Sequence, residues 1–298
     1  MRLLEAQVLA PAKVTLFLRV LGRRADGYHL LDSLIAPISL YDELTIRVAP
    51  SAQPSTTQSE IAVASDSAAA PGGDTNLAHR AAASFLERAD CRAAVDVRIR
   101  KRIPVGSGLG GGSSDAAAVL LVLNRLLGSP LRIEELAAVG TQIGADVAFF
   151  LCGRPARIGG VGERVTPLTL GTSLSLVIGW DGCNLPTKQV YERVARSLTS
   201  PPLPSNIVNL VSGRAPISEI LVNDLEAAAA QLHPEVMSLK ARLVEQGALG
   251  ALMTGSGAAV FGVWPDLPAA RRAAERLRAQ GLWAEAVHTL DASPAAAN

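Results

Sequence analysis

The sequence is poor in cysteine, and the three cysteines that it has lie far apart. Cys91, Cys152 and Cys183 form no Cys-x-x-Cys pair. Disulfide frameworks and cysteine-ligated metal sites are therefore not expected, and the spacing fits a reducing compartment. Aromatic residues are also scarce, at 4% of the chain, and none lies among the basic residues at positions 98–102. That stretch indicates a solvated strand face rather than an RNA-binding surface.

The sequence also lacks an excess of either charge and any long apolar run. Its 298 residues carry a formal net charge of +1, which gives no electrostatic reason to expect a nucleic-acid or membrane partner. No apolar stretch approaches the roughly 18 residues of a spanning helix. Residues 1–12 include Glu5 and lack the apolar core of a secretion signal. We therefore expect a soluble, cytoplasmic protein.

Glycine, by contrast, is strongly concentrated in one segment. Five of the seven residues at positions 106–112 are glycine, and Ser113, Ser114 and Asp115 lead into a run of helix-forming residues that ends at Leu127. Glycine permits positive φ and lets backbone N–H groups approach a ligand without intervening side chains. The unpaired N–H groups and the positive dipole end of a helix attract anions. The segment therefore predicts a phosphate-binding loop.

Three other interpretations of this glycine segment compete with a phosphate site. The pattern Gly106-x-Gly108-x-x-Gly111 matches a dinucleotide-binding fingerprint, which requires a buried parallel strand before it. The preceding residues 95–102 instead alternate apolar and polar types, which is typical of a half-exposed strand. A Walker-type loop is excluded because no lysine lies between Lys101 and the helix. A flexible glycine turn without a ligand remains open.

Helix and strand patterns alternate along the whole chain. Period-two patterns predict strands at residues 8–21, 40–48, 95–102, 156–158, 174–180 and 283–288, and a strand–turn–strand unit at 248–263. Helices are predicted at residues 76–89, 115–127, 133–143, 186–198 and 268–280, and mainly helix at 223–247. Residues 49–74 read as a loop with at most one short strand, near 61–64. Half-exposed strands favour an α+β fold with mainly antiparallel sheets. We place an N-terminal domain at 1–160 and a C-terminal domain at 161–298.

Two charged residues stand alone in apolar surroundings. Lys13 interrupts the apolar strand at residues 11–18, and Asp146 lies between apolar residues at 143–151. A lysine is seldom buried without a partner, and a buried carboxylate needs a cation or hydrogen-bond donors to stay ionised. Lys13 could be that cation for Asp146. Taken singly, an exposed edge lysine and an aspartate that caps a turn explain them as well.

These motifs together resemble the GHMP kinases, the family of galactokinase, homoserine kinase, mevalonate kinase and their relatives. The matching residues occur in family order and span positions 11–261, nearly the whole chain. They are the glycine loop, Pro-Ala-Lys at 11–13, Arg-Ala-Asp-Gly-Tyr-His at 24–29, Asn-Leu at 76–77, Ser-Ser-Asp-Ala-Ala at 113–117, Gly-Ala-Asp-Val at 144–147, Pro-Thr at 186–187, Asn-Asp-Leu-Glu at 223–226 and Thr-Gly-Ser-Gly-Ala at 254–258.

The resemblance implies a two-domain α+β fold with the active site in the cleft between the domains, and ATP and Mg²⁺ as cofactors. The segments at 24–29 and 144–147 are most similar to members that phosphorylate the 2-hydroxyl of a cytidine diphosphate-linked methylerythritol in the non-mevalonate isoprenoid route. The resemblance further implies that Asp146 removes or orients the proton of the substrate hydroxyl. Lys13 would hold Asp146 and this hydroxyl in place and stabilise developing charge. We expect a monomer or a weak homodimer.

The remaining site residues also follow from the resemblance. On the ATP side it implies Asn76, Lys101, Pro104, Val105, Gly106, Ser107, Gly108, Leu109, Gly110, Gly111, Gly112, Ser113 and Ser114. On the substrate side it implies Thr15, Tyr28, His29, Tyr191, Gly255 and Ser256. Tyr28 and Tyr191 would enclose a pyrimidine, and His29 would hydrogen-bond to its edge. A plain strand-to-strand turn remains an equal explanation for Gly255 and Ser256. No residue is assigned to the metal.

The sequence departs from the family pattern at two positions. Thr15 stands where asparagine is usual, which replaces an amide with a hydroxyl beside Lys13, and Ala148 stands where proline is usual. Two alternative functions remain open at this point. One is a GHMP kinase that acts on homoserine or mevalonate, against which Tyr28, His29 and Tyr191 argue because those substrates carry no base. The other is a nucleotide-binding relative without catalysis, against which Lys13 and Asp146 argue.

Overall fold

The computed structural model describes residues 3–51, 59–194, 200–202 and 221–296. Its strands are β1 Leu4–Arg23, β2 His29–Pro50, β3 Ile61–Ser65, β4 Ala93–Arg100, β5 Ala156–Gly160, β6 Arg164–Pro167, β7 Ser175–Trp180, β8 Val222–Asn223, β9 Gly250–Met253, β10 Val260–Trp264 and β11 Trp283–His288. Its helices are α1 Leu77–Arg88, α2 Gly111–Leu126, α3 Ile133–Ile143, α4 Val147–Cys152, α5 Thr187–Arg193, α6 Glu226–Leu232, α7 Glu235–Glu245 and α8 Leu267–Ala279. A 3-10 turn, Gly73–Thr75, precedes α1.

The first sheet is built around the long antiparallel pair β1 and β2. Seven strands of the described chain form it, with β3, β4, β2, β1 and β8 as neighbours in that order and β5 pairing with both β2 and β6. The β1–β2 register shifts between Pro11 and Ala12 and again between Thr15 and Phe17. Such irregularities bend a strand and re-aim its side chains. They lie on either side of Lys13, the position that matters most below.

Helices α1 to α4 cover one face of this sheet. The apolar cluster between them includes Ile46, Phe85, Val119 and Leu120, all fully buried. Alternate residues of β4 enter this cluster, while Arg98 and Arg100 face outward. Arg98 pairs with Asp96, and Arg100 pairs with Glu43. The basic stretch is therefore a charge-balanced strand face, as the sequence indicated.

The second sheet has the strand order β11, β7, β10, β9, and all its pairs are antiparallel. Helices α7 and α8 supply Leu239, Leu243 and Leu277 to its core. A third apolar cluster joins the two sheets, because it contains Leu16 and Ile38 from the first and Phe261 from the second. The two halves of the chain are thus packed together through a shared core. None of the described helices combines the length and apolar character needed to cross a bilayer.

The α+β class with mainly antiparallel sheets is confirmed; β3–β4 and β1–β8 are the parallel pairs. The sequence missed the first half of β2, helix α4 and strand β6. The predicted helix at 186–198 ends at Arg193, and residues 195–199 lie outside the described chain. The predicted helical stretch at 223–247 is β8 followed by two helices. Sheet membership changes between β6 and β7, and the boundary at residue 160 stays a prediction.

Candidate active site

The glycine loop joins β4 to α2 and has the left-handed turns that its glycines predict. Gly106, Gly108 and Gly110 all have positive φ, between 76° and 85°. A Cβ atom at Gly108 would lie 2.6 Å from the carbonyl oxygen of Gly257. Helix α2 begins at Gly111, four residues before the start that the sequence suggested at Asp115. Its first turn is therefore Gly-Gly-Ser-Ser, because the loop glycines continue directly into helical geometry.

Backbone hydrogen bonds fix this loop to both sheets. The amide of Lys13 donates to the carbonyl of Leu109 at 3.0 Å, and the amide of Ala259 donates to the carbonyl of Ser107 at 3.0 Å. The loop also closes on itself, since the Ser107 hydroxyl donates to the Pro104 carbonyl at 2.7 Å. Its position is consequently set by β1 on one side and by the start of β10 on the other.

A cavity of about 270 Å³ lies along the glycine loop and the first turn of α2. The first N–H groups of a helix have no intrahelical acceptor, and the dipole there is positive. The amide of Ser114 is already paired with the Gly110 carbonyl. The amides of Gly111, Gly112 and Ser113 precede it in the first turn and line the cavity. Chemically this is a site for an anion such as a polyphosphate.

Asn76 and Lys101, which the resemblance assigned to the ATP side, line the same cavity, but both side chains are engaged with the protein. The Asn76 side chain accepts from the amide of Ala78 as the cap of α1 and donates to the Pro71 carbonyl at 2.9 Å. The Lys101 amine donates to Asp42 at 2.5 Å and to Asp115 at 2.9 Å. Burial disfavours the Lys101 ammonium, but the charges of Asp115 and Asp42 outweigh burial and raise the Lys101 pKa.

Lys13 lies beside the glycine loop, at the floor of a second and larger cavity of about 810 Å³. Its side chain is only 5% exposed, and its amine donates to the hydroxyl of Thr15 at 3.3 Å. Thr15 in turn is fixed, because its amide donates to the Thr254 hydroxyl at 2.9 Å. The threonine that replaces the usual asparagine therefore still offers Lys13 an oxygen. Burial lowers the Lys13 pKa, and the nearby Asp146 carboxylate partly opposes this.

Asp146 lies immediately before the short helix α4 and lines the same cavity as Lys13. Ala148, where proline is usual, is buried inside α4. The helix still begins at Val147, although the proline is absent. Within the described chain no Lys13–Asp146 contact falls within 4.0 Å, although the Asp146 charge acts on the Lys13 amine and raises its pKa against burial. An acceptor hydroxyl could therefore enter between the ammonium and the carboxylate. The two cavities share Gly108, Gly110 and Ser113, so this point borders the polyphosphate site.

The second glycine turn closes over the Lys13 amine. A Cβ atom at Gly255 would lie 2.8 Å from Lys13 Nζ. Asn223 of β8 holds the turn, because its side-chain amide donates to the carbonyls of Met253 and Gly255, both at 2.8 Å. Asn223 was not among the predicted site residues, although the Asn-Asp-Leu-Glu motif at 223–226 was the signal that could have identified it.

We expect the substitution Gly255→Ala to lower kcat by about 10-fold, because the new methyl group displaces the Lys13 amine by an ångström or more. The positive φ of 58° at Gly255 adds about 1–2 kcal/mol of instability. Gly247→Ala is a matched control, since Gly247 has φ of 97° but open space around its Cβ position. Steady-state kinetics and thermal melts separate the two effects. An equal loss of kcat in both variants would contradict the contact with Lys13.

Aromatic side chains lie at the other end of the larger cavity. The rings of His29 and Tyr191 are 5.3 Å apart between centroids, at 31° to one another. Tyr28 lines the cavity mouth and is 64% exposed. Burial and the charge of Arg23 lower the His29 pKa, which favours a neutral ring that both donates and accepts hydrogen bonds. An exposed tyrosine beside a half-buried ring pair could accept a flat heterocycle.

Most of the predicted site residues lie around the two cavities. Ser256 and Gly255 line the larger one, and the Ser256 hydroxyl lies 2.9 Å from that of Thr187 on α5. Ser113 borders both cavities. Ser114 differs, because its amide bonds to Gly110 and its hydroxyl is buried without a hydrogen-bond partner. Of the two serines, Ser113 is thus the one in position to reach a bound anion.

No group of three or more potential metal ligands of the His, Cys, Asp or Glu type occurs in the described ranges. Mg²⁺ in phosphate-transferring sites keeps several waters and is held through substrate phosphates with only one or two protein oxygens. The donor set here fits a metal that arrives with a nucleotide, rather than a preformed protein cage.

Comparison with known proteins adds independent findings. Residues 76–154 match the model described as GHMP kinases N terminal domain, and residues 209–281 match the model described as GHMP kinases C terminal. The chain is 41% identical over 287 residues to 4-diphosphocytidyl-2-C-methyl-D-erythritol kinase of Citrifermentans bemidjiense, which covers 96% of this chain and 99% of the relative. It is 43% identical over 279 residues to the kinase of the same name from Thermus thermophilus, which covers 93% of this chain and 94% of the relative.

Solved structures give the same result. A crystal structure of 4-(cytidine 5'-diphospho)-2C-methyl-D-erythritol kinase superposes with a TM-score of 0.81 at 41% identity, covering 95% of this chain and 99% of that one. Homoserine kinase from Cytophaga hutchinsonii superposes with a TM-score of 0.70 at 17% identity, covering 98% and 96%. At that identity the second likeness concerns the fold alone.

Proposed function

Because the chain belongs to the 4-diphosphocytidyl-2-C-methyl-D-erythritol kinases of the GHMP superfamily, we propose that it transfers the γ-phosphate of ATP to the 2-hydroxyl of 4-diphosphocytidyl-2-C-methyl-D-erythritol. The reaction belongs to the methylerythritol phosphate route to isoprenoid precursors, in the cytoplasm. One observation supports this most directly. Lys13 and Asp146 line a cavity that meets the amide-lined cavity at Gly108, Gly110 and Ser113.

On the nucleotide side, the loop at residues 104–113 and the first turn of α2 would hold the triphosphate through backbone amides. Such donors are fixed before the ligand arrives, so they need no reorganisation during the reaction. Asn76 and Lys101 line the same cavity, and the family resemblance assigns them to the base and ribose side. Mg²⁺ would enter with ATP and neutralise charge on the phosphate oxygens.

On the acceptor side, the hydroxyl would lie between Asp146 and Lys13. Asp146 would accept or orient its proton, and the Lys13 ammonium would stabilise negative charge on the attacking oxygen. Phosphoryl transfer depends mainly on positioning and charge stabilisation, and the buried Lys13 and the half-buried Asp146 supply both.

The aromatic end of the larger cavity favours a substrate with a base. His29 and Tyr191 form a ring pair there, and Tyr28 lies at the entrance. A cytosine enclosed by the tyrosines would leave the diphosphate near Gly255 and Ser256 and the methylerythritol near Lys13. Homoserine and mevalonate carry no group that needs this end of the cavity, so those activities are the weaker candidates.

A coupled assay of ADP release tests the proposal against its alternatives. The purified protein is given ATP and Mg²⁺ with the cytidyl substrate, homoserine or mevalonate in parallel. We expect turnover with the cytidyl substrate and at least about 10³-fold lower kcat/KM with the others, because recognition of a base by a built site discriminates strongly. Turnover of homoserine or mevalonate alone would refute the substrate assignment, and ATP binding without turnover would favour a non-catalytic relative.

We expect Tyr28→Ala to raise KM for the cytidyl substrate by about 5- to 10-fold, because one stacked aromatic ring contributes roughly 1–1.5 kcal/mol. KM for ATP and kcat should change by less than about twofold. Tyr28 is exposed, so its removal should not affect the fold. Tyr41→Phe offers a control, since Tyr41 lies on β2 outside the cavity lining. An unchanged KM in Tyr28→Ala would remove this residue from base recognition.

A further inference from the structure

A buried cluster of three charged residues lies directly under the nucleotide cavity. The Lys101 amine bridges Asp42 and Asp115, at 2.5 and 2.9 Å, and its side chain is 7% exposed. The two carboxylates are buried even more completely. A buried ion cluster gains little net stability, because desolvation offsets its mutual attraction. A role in positioning explains this cluster better than a contribution to stability.

The Lys101 amine lies against the first residue of α2. A Cβ atom at Gly111 would lie 3.2 Å from Lys101 Nζ and 3.0 Å from Ile103. The backbone at the first residue of α2 therefore lies over the amine. Two of the three N–H groups of Lys101 are committed to carboxylates. At most one N–H group of this ammonium is left for a ligand in the cavity that Lys101 lines.

Each partner of Lys101 is anchored to a different part of the loop. Asp42 on β2 accepts from the amides of Arg102 and Ile103, at 2.7 and 2.9 Å, which fixes the entrance to the glycine loop. Asp115 lies in α2, directly after the Gly-Gly-Ser-Ser first turn. Lys101 donates to Oδ2 of Asp115. The other carboxylate oxygen, Oδ1, is buried without a hydrogen-bond partner. The lysine is thus the hydrogen-bonded link between the start of α2 and the sheet below.

We propose that Lys101 is a positioning residue, which holds the first turn of α2 at the height where its free amides meet the nucleotide phosphates, and which does not itself contact the nucleotide. This inference rests on the proposed function for the location of the nucleotide. It changes the role of Lys101 from a ligand of the base or ribose to a support for the phosphate site. Two glycines at the start of α2 make such a support necessary, because glycine is a poor helix former.

Charge in the cluster agrees with this role. Burial and the charge of Asp42 together raise the Asp115 pKa to about 7, against the opposing charge of Lys101. Asp42 accepts from three donors, the Lys101 amine and the amides of Arg102 and Ile103. Protonation of Asp115 would remove one negative charge from beneath the polyphosphate site. The tether survives protonation, since the oxygen bonded to Lys101 still accepts.

The test is ATP binding, measured by calorimetry with Mg²⁺ and without the alcohol substrate. We expect Asp115→Ala to weaken ATP binding by about 10-fold, because the link to α2 is lost. Asp115→Asn should stay within about threefold of the wild type, since its amide oxygen can still accept from Lys101. KM for the alcohol substrate should move by less than about twofold in both variants. Asp115→Ser, too short to reach Lys101, should repeat the alanine result and replaces that variant if it does not fold.

Lys240→Met provides the matched control. The Lys240 amine bonds to Glu226 at 2.6 Å, and Glu226 also accepts a backbone amide, from Met253. This pair lies on α6 and α7, away from the glycine loop, so ATP binding should remain within about twofold of the wild type. Unchanged or tighter ATP binding by Asp115→Ala would overturn the proposal, because it would mean that the freed amine contacts the nucleotide. The proposal would also be overturned if ATP binding weakened, the alcohol KM rose by a similar factor and the melting temperature fell. Such a result would favour a purely structural role.

Calorimetry also separates this inference from the proposed function. A wild-type protein that binds ATP but phosphorylates none of the three alcohols contradicts the proposed reaction, and the Asp115 series still tests the positioning role. A wild-type protein that does not bind ATP contradicts both.

Discussion

Asp146→Ala is expected to lower kcat by at least about 10²-fold while ATP affinity stays within about twofold. The carboxylate lines the acceptor cavity and not the glycine-loop cavity, so its loss should affect the reacting hydroxyl rather than the nucleotide. A positioned general base typically contributes 10²- to 10⁴-fold. Asp146→Asn keeps the shape and removes only the charge and basicity. A comparable loss in both variants would assign the effect to the carboxylate itself.

Glu192→Gln is the control for Asp146. Glu192 is a second carboxylate lining the same cavity, and it is exposed on α5. Its replacement should leave kcat within about twofold. Single-turnover kinetics with saturating ATP give the rate of the chemical step directly. Near-normal turnover by Asp146→Ala would eliminate Asp146 from the mechanism and would leave Lys13 and the loop amides as the source of catalysis.

Lys13→Met should lower kcat by about 10²- to 10³-fold, the range measured when a single charge-stabilising group is removed from an active site. Methionine is one atom shorter than lysine but fills most of the same space, so Gly255 and Thr15 keep an unbranched side chain beside them. Burial lowers the Lys13 pKa. Because the reaction needs the ammonium, wild-type kcat should fall as pH rises through this lowered value. In Lys13→Met the alkaline fall in kcat should disappear.

Lys188→Met is the matched variant for Lys13. Lys188 is another lysine that lines the larger cavity, and it is exposed at the start of α5. Its kcat should stay within about threefold of the wild type, and its pH profile should keep the alkaline fall. If Lys188→Met lost as much kcat as Lys13→Met, the special role of the buried amine would be refuted.

Local sequence was sufficient where backbone chemistry alone decides the structure. The glycine loop needs positive φ and bare amides, and Gly106, Gly108 and Gly110 supply both without help from distant residues. Helix α3 coincides with its predicted range at 133–143. Asn76 caps α1 as an asparagine before a helix should. Each of these features depends on contacts within a few residues along the chain.

Features that depend on long-range contacts were harder to predict. Lys13 and Asp146 are far apart in sequence. Their apolar surroundings suggested that they could pair, but only the resemblance to a kinase family assigned both to one active site. Pro37 concealed the first half of β2, because proline in a strand is usually confined to edges and bulges. It pairs with Lys13 beside a register shift, where it is tolerated. In the sequence, Asp42 is one polar residue of a strand with an alternating pattern, which gives no sign of burial. In the structure it is fully buried and pairs with Lys101.

The attachment of the glycine loop to both sheets has a consequence for dissecting this protein. A fragment that stopped at residue 160 would keep the loop but lose Ala259, whose amide holds the Ser107 carbonyl. It would also lose Phe261, which shares an apolar cluster with Leu16 and Ile38, and would therefore expose these apolar side chains to solvent. Neither half of the chain can therefore be exchanged independently of the other. Chimaeras between such kinases should exchange the contacting strands of both sheets together.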